Sequence, residues 1–258
     1  MTLSYKNSNI NYTITGIGKT IVLLHGFLET LEMWNDFIPQ LSSTNQVVSI
    51  DLLGHGKSDC LGYVHTMQDM AEVVIAILDH NNMNKAKVIG HSMGGYVALA
   101  IAKLKPNLLD GLCLMNSTFE ADDAEKKALR TRANQMVKTN FNNLVSMSFA
   151  NLFSIESKMK YKTEYNNALK IALKTPVQGY IAASEGMKLR PDYFEVFKSL
   201  KSKKIIIIGK KDPLINGERI KSQIENTDII YHELSEGHMS HIENKSELSY
   251  LLMRFIEK

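Results

Sequence analysis

The chain has 258 residues, 44% of them hydrophobic and 22% charged, with 15 Gly, 5 Pro and 2 Cys. That length suits a large domain with a core of its own, and so ordinary a composition excludes disordered, collagen-like and coiled-coil chains. A net charge of +3 is too near balance to point to nucleic acid, and two cysteines, Cys60 and Cys113, are too few for a disulfide framework or a four-cysteine zinc site.

The first residues lack a basic start followed by an apolar core and a small-residue cleavage site. No apolar run approaches the roughly 18–20 residues of a membrane span. A cytoplasmic protein without membrane association is the expectation. Residues 3–5 and 10–14, joined through Asn7-Ser8-Asn9, predict an antiparallel hairpin. Short, mainly apolar runs, several rich in Val and Ile, follow at 20–24, 46–50, 87–89, 111–115, 204–208 and 229–232. Continuous rather than alternating apolarity implies burial on both faces, as in a parallel sheet covered by helices. Between the second and third of these runs, Met67, Met70, Val73, Val74, Ile77 and Leu78 recur at helical spacing. Residues 93–104 predict a second helix, ended by Pro106, and Leu248, Leu251, Leu252 and Phe255 mark a third at the C-terminus. This order is that of an α/β doubly wound sheet.

Residues 120–200 interrupt the alternation with helical periodicity and no strand candidate. The stretch is too long for a connection and too helical for a loop. It reads as a helical cap inserted into a core formed by residues 1–119 and 201–258. The insertion holds 13 Lys and Arg against 9 Asp and Glu. Charged helix faces are ordinarily solvated surface; the sharper alternative is a mildly positive rim suited to an anionic substrate.

The chemistry concentrates in Gly90-His91-Ser92-Met93-Gly94-Gly95, between a predicted strand and a predicted helix. A strand that enters a helix through one Ser must turn sharply there, and Gly90 and Gly94 remove the β-carbons that would collide. The turn holds the Ser92 hydroxyl at the positive end of the helix. A serine needs a base to take its proton. His238, in a loop after the last predicted strand, projects from the same carboxyl edge of the sheet. His241 begins the run into the final helix, His232 sits within a strand, and His25 reads as a structural loop residue. A metal held by His238 and His241 would lack a third ligand in the sequence. The imidazole in turn needs a carboxylate, and Asp212 emerges directly after the 204–208 strand. Asp110 and Asp228 precede their strands and so lie at the opposite edge from ligand-binding groups. Donors for a tetrahedral oxygen are the backbone N–H groups of Phe27, in Leu24-His25-Gly26-Phe27, and of Met93.

The order Ser92, Asp212, His238, with His25-Gly26 early and Gly237-His238 late, resembles the α/β-hydrolase superfamily. Asp51-Leu52-Leu53-Gly54-His55-Gly56-Lys57-Ser58 also resembles a loop of that family that is generally structural. The resemblance covers essentially the whole chain. It implies a mostly parallel eight-stranded sheet with helices on both faces and a helical cap. It also implies a serine hydrolase of small carboxylic esters or thioesters that needs no cofactor and no metal. Ser92, Asp212 and His238 would then be catalytic, with Phe27 and Met93 as the oxyanion hole. The elbow is similar to those of monoglyceride lipases and small carboxylesterases. His25-Gly26-Phe27-Leu28 also resembles the menaquinone-pathway synthase that eliminates pyruvate from an anionic cyclohexadiene, although that family usually has Tyr where His91 stands. A non-enzymatic small-molecule receptor on the same fold is the alternative of a different class.

Overall fold

The computed structural model describes residues 1–257. Strands β1 (Thr2–Tyr5) and β2 (Ser8–Thr15) form the expected hairpin, turned through Lys6 and Asn7 in left-handed backbone conformation. β3 (Lys19–Leu24), the short helix α1 (Ile38–Leu41) and β4 (Asn45–Ile50) follow. Next come α2 (Met67–His80), β5 (Ala86–His91), α3 (Met93–Leu104) and β6 (Leu109–Met115). Five helices then succeed one another without a strand. They are α4 (Ala124–Ala150, bent where Asn140 leaves helical geometry), α5 (Ile155–Lys160), α6 (Lys162–Ala172), α7 (Val177–Leu189) and α8 (Phe194–Ser199). The chain closes with β7 (Lys203–Gly209), α9 (Gly217–Gln223), β8 (Ile230–Leu234), α10 (Ser240–Glu243) and α11 (Lys245–Glu257).

The eight strands make one sheet in the order β1-β2-β4-β3-β5-β6-β7-β8. β1 pairs antiparallel with β2, and β2 with β4; all other pairings are parallel. Burial on both faces explains the unbroken apolar runs. In β7, Ile205 and Ile207 pack with Leu23, Cys113 and Phe255 on one side of the sheet, while Ile206 and Ile208 pack with Val22, Leu112 and Leu78 on the other. Each such isoleucine stabilises the fold by about 1.5–3 kcal/mol relative to exposure.

Local signals fix the helices. α2 starts in a capping box: Thr66 Oγ1 accepts the Asp69 amide at 3.0 Å, and Asp69 Oδ2 accepts the Thr66 amide at 2.9 Å. α3 is buried from Met93 to Ala102 and stops ahead of Pro106, which cannot continue a helix. Among the described residues no helix is long and apolar enough to cross a membrane. Because the parallel strands all point one way, the segments after β3, β5, β6, β7 and β8 converge on one edge of the sheet.

Candidate active site

Ser92 occupies the step between β5 and α3 with φ 48° and ψ −113°, a conformation that costs about 1–3 kcal/mol for a residue with a side chain. Its surroundings hold it there. The Ser92 amide donates to the Met115 carbonyl at 2.9 Å, and Ser117 Oγ donates to the Ser92 carbonyl at 2.8 Å. A β-carbon on Gly90 would stand 2.3 Å from the Gly94 carbonyl oxygen, and one on Gly94 would stand 2.4 Å from that of Leu24. Only glycine permits so close an approach of strand, helix and neighbouring strand.

The turn presents Ser92 Oγ 3.0 Å from His238 Nε2, and His238 Nδ1 lies 2.8 Å from Asp212 Oδ2. Nδ1–H donates to the carboxylate, so Nε2 is left to accept a hydrogen bond from the serine hydroxyl. Asp212 has a fully buried side chain whose other oxygen accepts the amides of Leu214 at 2.8 Å and Ile215 at 3.1 Å. Burial alone would raise its pKa, but the adjacent His238 and these hydrogen bonds outweigh it and hold the carboxyl below its ordinary value. Asn116 Nδ2 also donates to Asp212 Oδ2, at 3.0 Å, and to the Gly237 carbonyl at 3.2 Å. Asn116 sits directly after β6 in left-handed conformation, φ 45°; an Asn immediately past a strand end was the sequence signal for it, and the expected site did not include it.

A second polar cluster backs the first. Glu29, buried in the loop after β3, accepts the Gly26 amide at 2.6 Å and faces His91 Nδ1 at 2.7 Å through the same oxygen, Oε2. His91 Nε2 faces the His238 carbonyl at 3.0 Å. Both nitrogens of His91 therefore meet groups that only accept, so the ring is doubly protonated and pairs with Glu29 as an ion pair. Desolvation opposes charge on both partners, yet their mutual attraction raises the His91 pKa and lowers that of Glu29 to about 2. His241 Nε2 lies 3.6 Å from Glu29 Oε1, and burial drives its pKa down to about 4. Glu29, His91 and His241 bring donor atoms within 4.8 Å of one another and are the described residues that could hold a metal ion. As they stand Glu29 Oε2 is occupied by Gly26 and His91, while Glu29 Oε1 and His241 Nδ1 have no hydrogen-bond partner among the described residues. The sequence offered His241 only His238 as a companion and no third ligand; the structure places Glu29 and His91 beside His241.

His25 has its Nδ1 2.7 Å from the Gly26 carbonyl and accepts the Leu52 amide at Nε2, 2.9 Å, so it ties the loops after β3 and β4. Asp51, in the loop after β4, accepts from Leu31, Asn11 and Lys57, a role in holding loops together. Asp110 faces Lys85 and Asp228 faces Lys204, both at the starts of strands and away from Ser92. The N–H groups of Phe27 and Met93 have no acceptor among the described residues. Phe27 lines a cavity of about 350 Å³ that also opens onto Ser92 and His238. The rest of its wall is largely apolar, with Tyr180, Phe149 and Leu214, apart from Glu29 with His91 and a charged group at the start of α4 and just past α7, whose residues the sequence did not single out within the positive insertion.

An eight-stranded, mostly parallel sheet with a serine at a strained strand-to-helix turn defines the class, and the sequence agrees with it. Residues 19–245 match the family pattern described as alpha/beta hydrolase fold, and the chain belongs to that family. It is 27% identical over 228 residues to 3-oxoadipate enol-lactonase 1 of Acinetobacter baylyi, covering 87% of this chain and 84% of that protein. It is 27% identical over 248 residues to the dihydrolipoyllysine-residue acetyltransferase component of the acetoin cleaving system of Pseudomonas putida. That match covers 93% of this chain but only 64% of the relative's length. In fold it is similar to a thermophilic esterase from Thermogutta terrifontis, with a TM-score of 0.93 at 23% identity over 99% of this chain and 97% of the esterase.

Proposed function

We propose that the protein is a serine hydrolase of small carboxylic esters, including lactones or thioesters, acting through an acyl-enzyme on Ser92. Ser92 Oγ attacks the carbonyl carbon while His238 Nε2 takes its proton. Asp212 fixes the tautomer and stabilises the imidazolium. The carbonyl oxygen becomes an oxyanion held by the Phe27 and Met93 amides, the second at the positive end of α3. Collapse expels the alcohol or thiol, which takes the proton from His238. Water, deprotonated by the same imidazole, then releases the acid. Residues 120–200 act in this reading as a cap over the cavity. What carries the proposal is the unbroken relay from Ser92 Oγ through His238 to Asp212, at 3.0 and 2.8 Å, beside two amides without acceptors. The resemblance to an enol-lactonase over most of both chains supports the ester-cleaving class.

The test is labelling with a fluorophosphonate and turnover of p-nitrophenyl butyrate by the wild-type chain and by Ser92→Ala. Labelling and turnover that both disappear in the variant support the reading. Turnover that persists in Ser92→Ala places the nucleophile elsewhere, and tight small-molecule binding with no turnover of any acyl substrate favours a receptor.

A further inference from the structure

One wall of the cavity holds a buried carboxylate with two guanidinium partners. Asp122, whose side chain is fully buried just before α4, receives Arg130 Nε at 2.6 Å and faces an Arg190 terminal nitrogen at 2.8 Å. The two arginines are not equivalent. Arg190 is sealed in: its side chain is 3% exposed, it lies 4.0 Å over the Tyr96 ring, and it also donates to the carbonyls of Glu120 and Met187. Arg130 is 24% exposed and spends only its Nε on Asp122. Its two terminal nitrogens have no partner among the described residues, and its side chain lines the cavity shared with Ser92 and His238. Lys126, one helical turn earlier, lines the same wall. The other carboxylate of the lining, Glu29, is paired with His91. Three cations against Asp122 therefore leave this part of the wall with excess positive charge, in a cavity that is otherwise mainly apolar.

A planar guanidinium anchored through one edge, with its remaining fork free, is built to receive a carboxylate in two parallel hydrogen bonds. Taking the hydrolase reading as its starting point, we infer that the cavity selects substrates carrying a carboxylate, which Arg130 receives while Ser92 attacks the ester. Asp122 is a positioning residue in this arrangement, since it fixes the edge of the guanidinium that faces away from the substrate. Arg190 holds Asp122 in place.

The experiment compares mono-p-nitrophenyl glutarate with the neutral p-nitrophenyl valerate, and measures glutarate as a ligand by calorimetry on the Ser92→Ala chain. The hemiester is expected to have the higher kcat/KM, through a lower KM. Arg130→Gln should cut that preference roughly 10- to 100-fold and weaken glutarate binding in parallel, the range expected for a charge-assisted hydrogen-bonded contact. Arg130→Lys should retain part of the preference, and Arg132→Gln, exposed on the same helix and outside the cavity, should retain all of it. In the wild-type chain, raising salt from about 0.05 to about 0.5 M should narrow the preference without any substitution. Equal rates on the two esters, together with no glutarate binding, overturn the inference while Ser92-dependent turnover leaves the hydrolase reading standing. Loss of the hydrolase reading shows instead as turnover surviving Ser92→Ala, and glutarate calorimetry still decides the anion site.

Discussion

The His91 ring joins Glu29 to the carbonyl of His238, at 2.7 and 3.0 Å, and so links the end of β5 to the loops that follow β3 and β8. Three segments far apart in the chain converge on one imidazolium directly beneath the proposed general base. Replacing His91 with Phe removes the counter-charge and leaves the Glu29 carboxylate buried beside the Gly26 amide. Losing one partner of a buried pair costs about 3–5 kcal/mol. Urea unfolding should show a loss of this size for His91→Phe, and the double change Glu29→Gln/His91→Gln should recover part of it. A loss below about 1 kcal/mol would show that the pair contributes little.

Acid should destabilise the fold well before its carboxylates protonate in bulk. Burial lowers the pKa of His25 and His65, and it brings His55 to about 3 and His241 to about 4. The unfolded chain takes up these protons near the ordinary histidine value of 6.5, the folded chain only further down. Stability is thus intact above that value and declines as pH falls toward 4, by about 1.4 kcal/mol per pH unit for each of His55 and His241, with His25 and His65 acting in the same direction. Glu29 adds a loss of the same sign from 4.5 down to about 2. His91, with a raised pKa, works in the opposite direction, losing its contribution as pH rises through its folded value. Melting temperature recorded from pH 8 to pH 4 checks the sum; a flat curve would contradict it.

Asp212→Asn should lower kcat by about 10³–10⁴-fold, because an amide donor facing His238 Nδ1 favours the wrong tautomer. Asn116→Ala should have a smaller effect of the same kind, on the order of tenfold, since the two backbone amides still hold Asp212 Oδ1. The check is a comparison of kcat and KM for both variants on one ester. A change confined to KM would remove Asn116 from the positioning of the relay.

Gly94→Ala should abolish fluorophosphonate labelling. The added methyl would lie 2.4 Å from the Leu24 carbonyl oxygen and 2.7 Å from that of His25, so the helix must move off β3. Both contacts are with backbone atoms, which cannot rotate away as a side chain would. Circular dichroism beside the labelling separates a displaced elbow from an unfolded chain. Full labelling would show that the turn has slack.

The sheet was legible because its strands are buried on both sides, which leaves uninterrupted apolar runs such as residues 204–208. Ser92, Asp212 and His238 were legible because strand direction assigns them to one edge. What escaped was contact between distant residues of unremarkable local pattern. Glu29 lies 62 positions from His91, and Asn116 lies 96 from Asp212. Arg130 and Arg190 look like any charged helix residues until Asp122 draws them together. Helices α1 and α9, at 4 and 7 residues, are too short for a 3.6-residue period to declare itself.

The five consecutive helices leave the sheet after β6 and return at β7, which are immediate neighbours. Their length and composition can therefore change without shifting the register of any strand. The helical wall of the cavity and the frame that holds Ser92 can diverge at different rates, so under the proposed function a new preference can arise from one exchanged segment while the serine stays where it is.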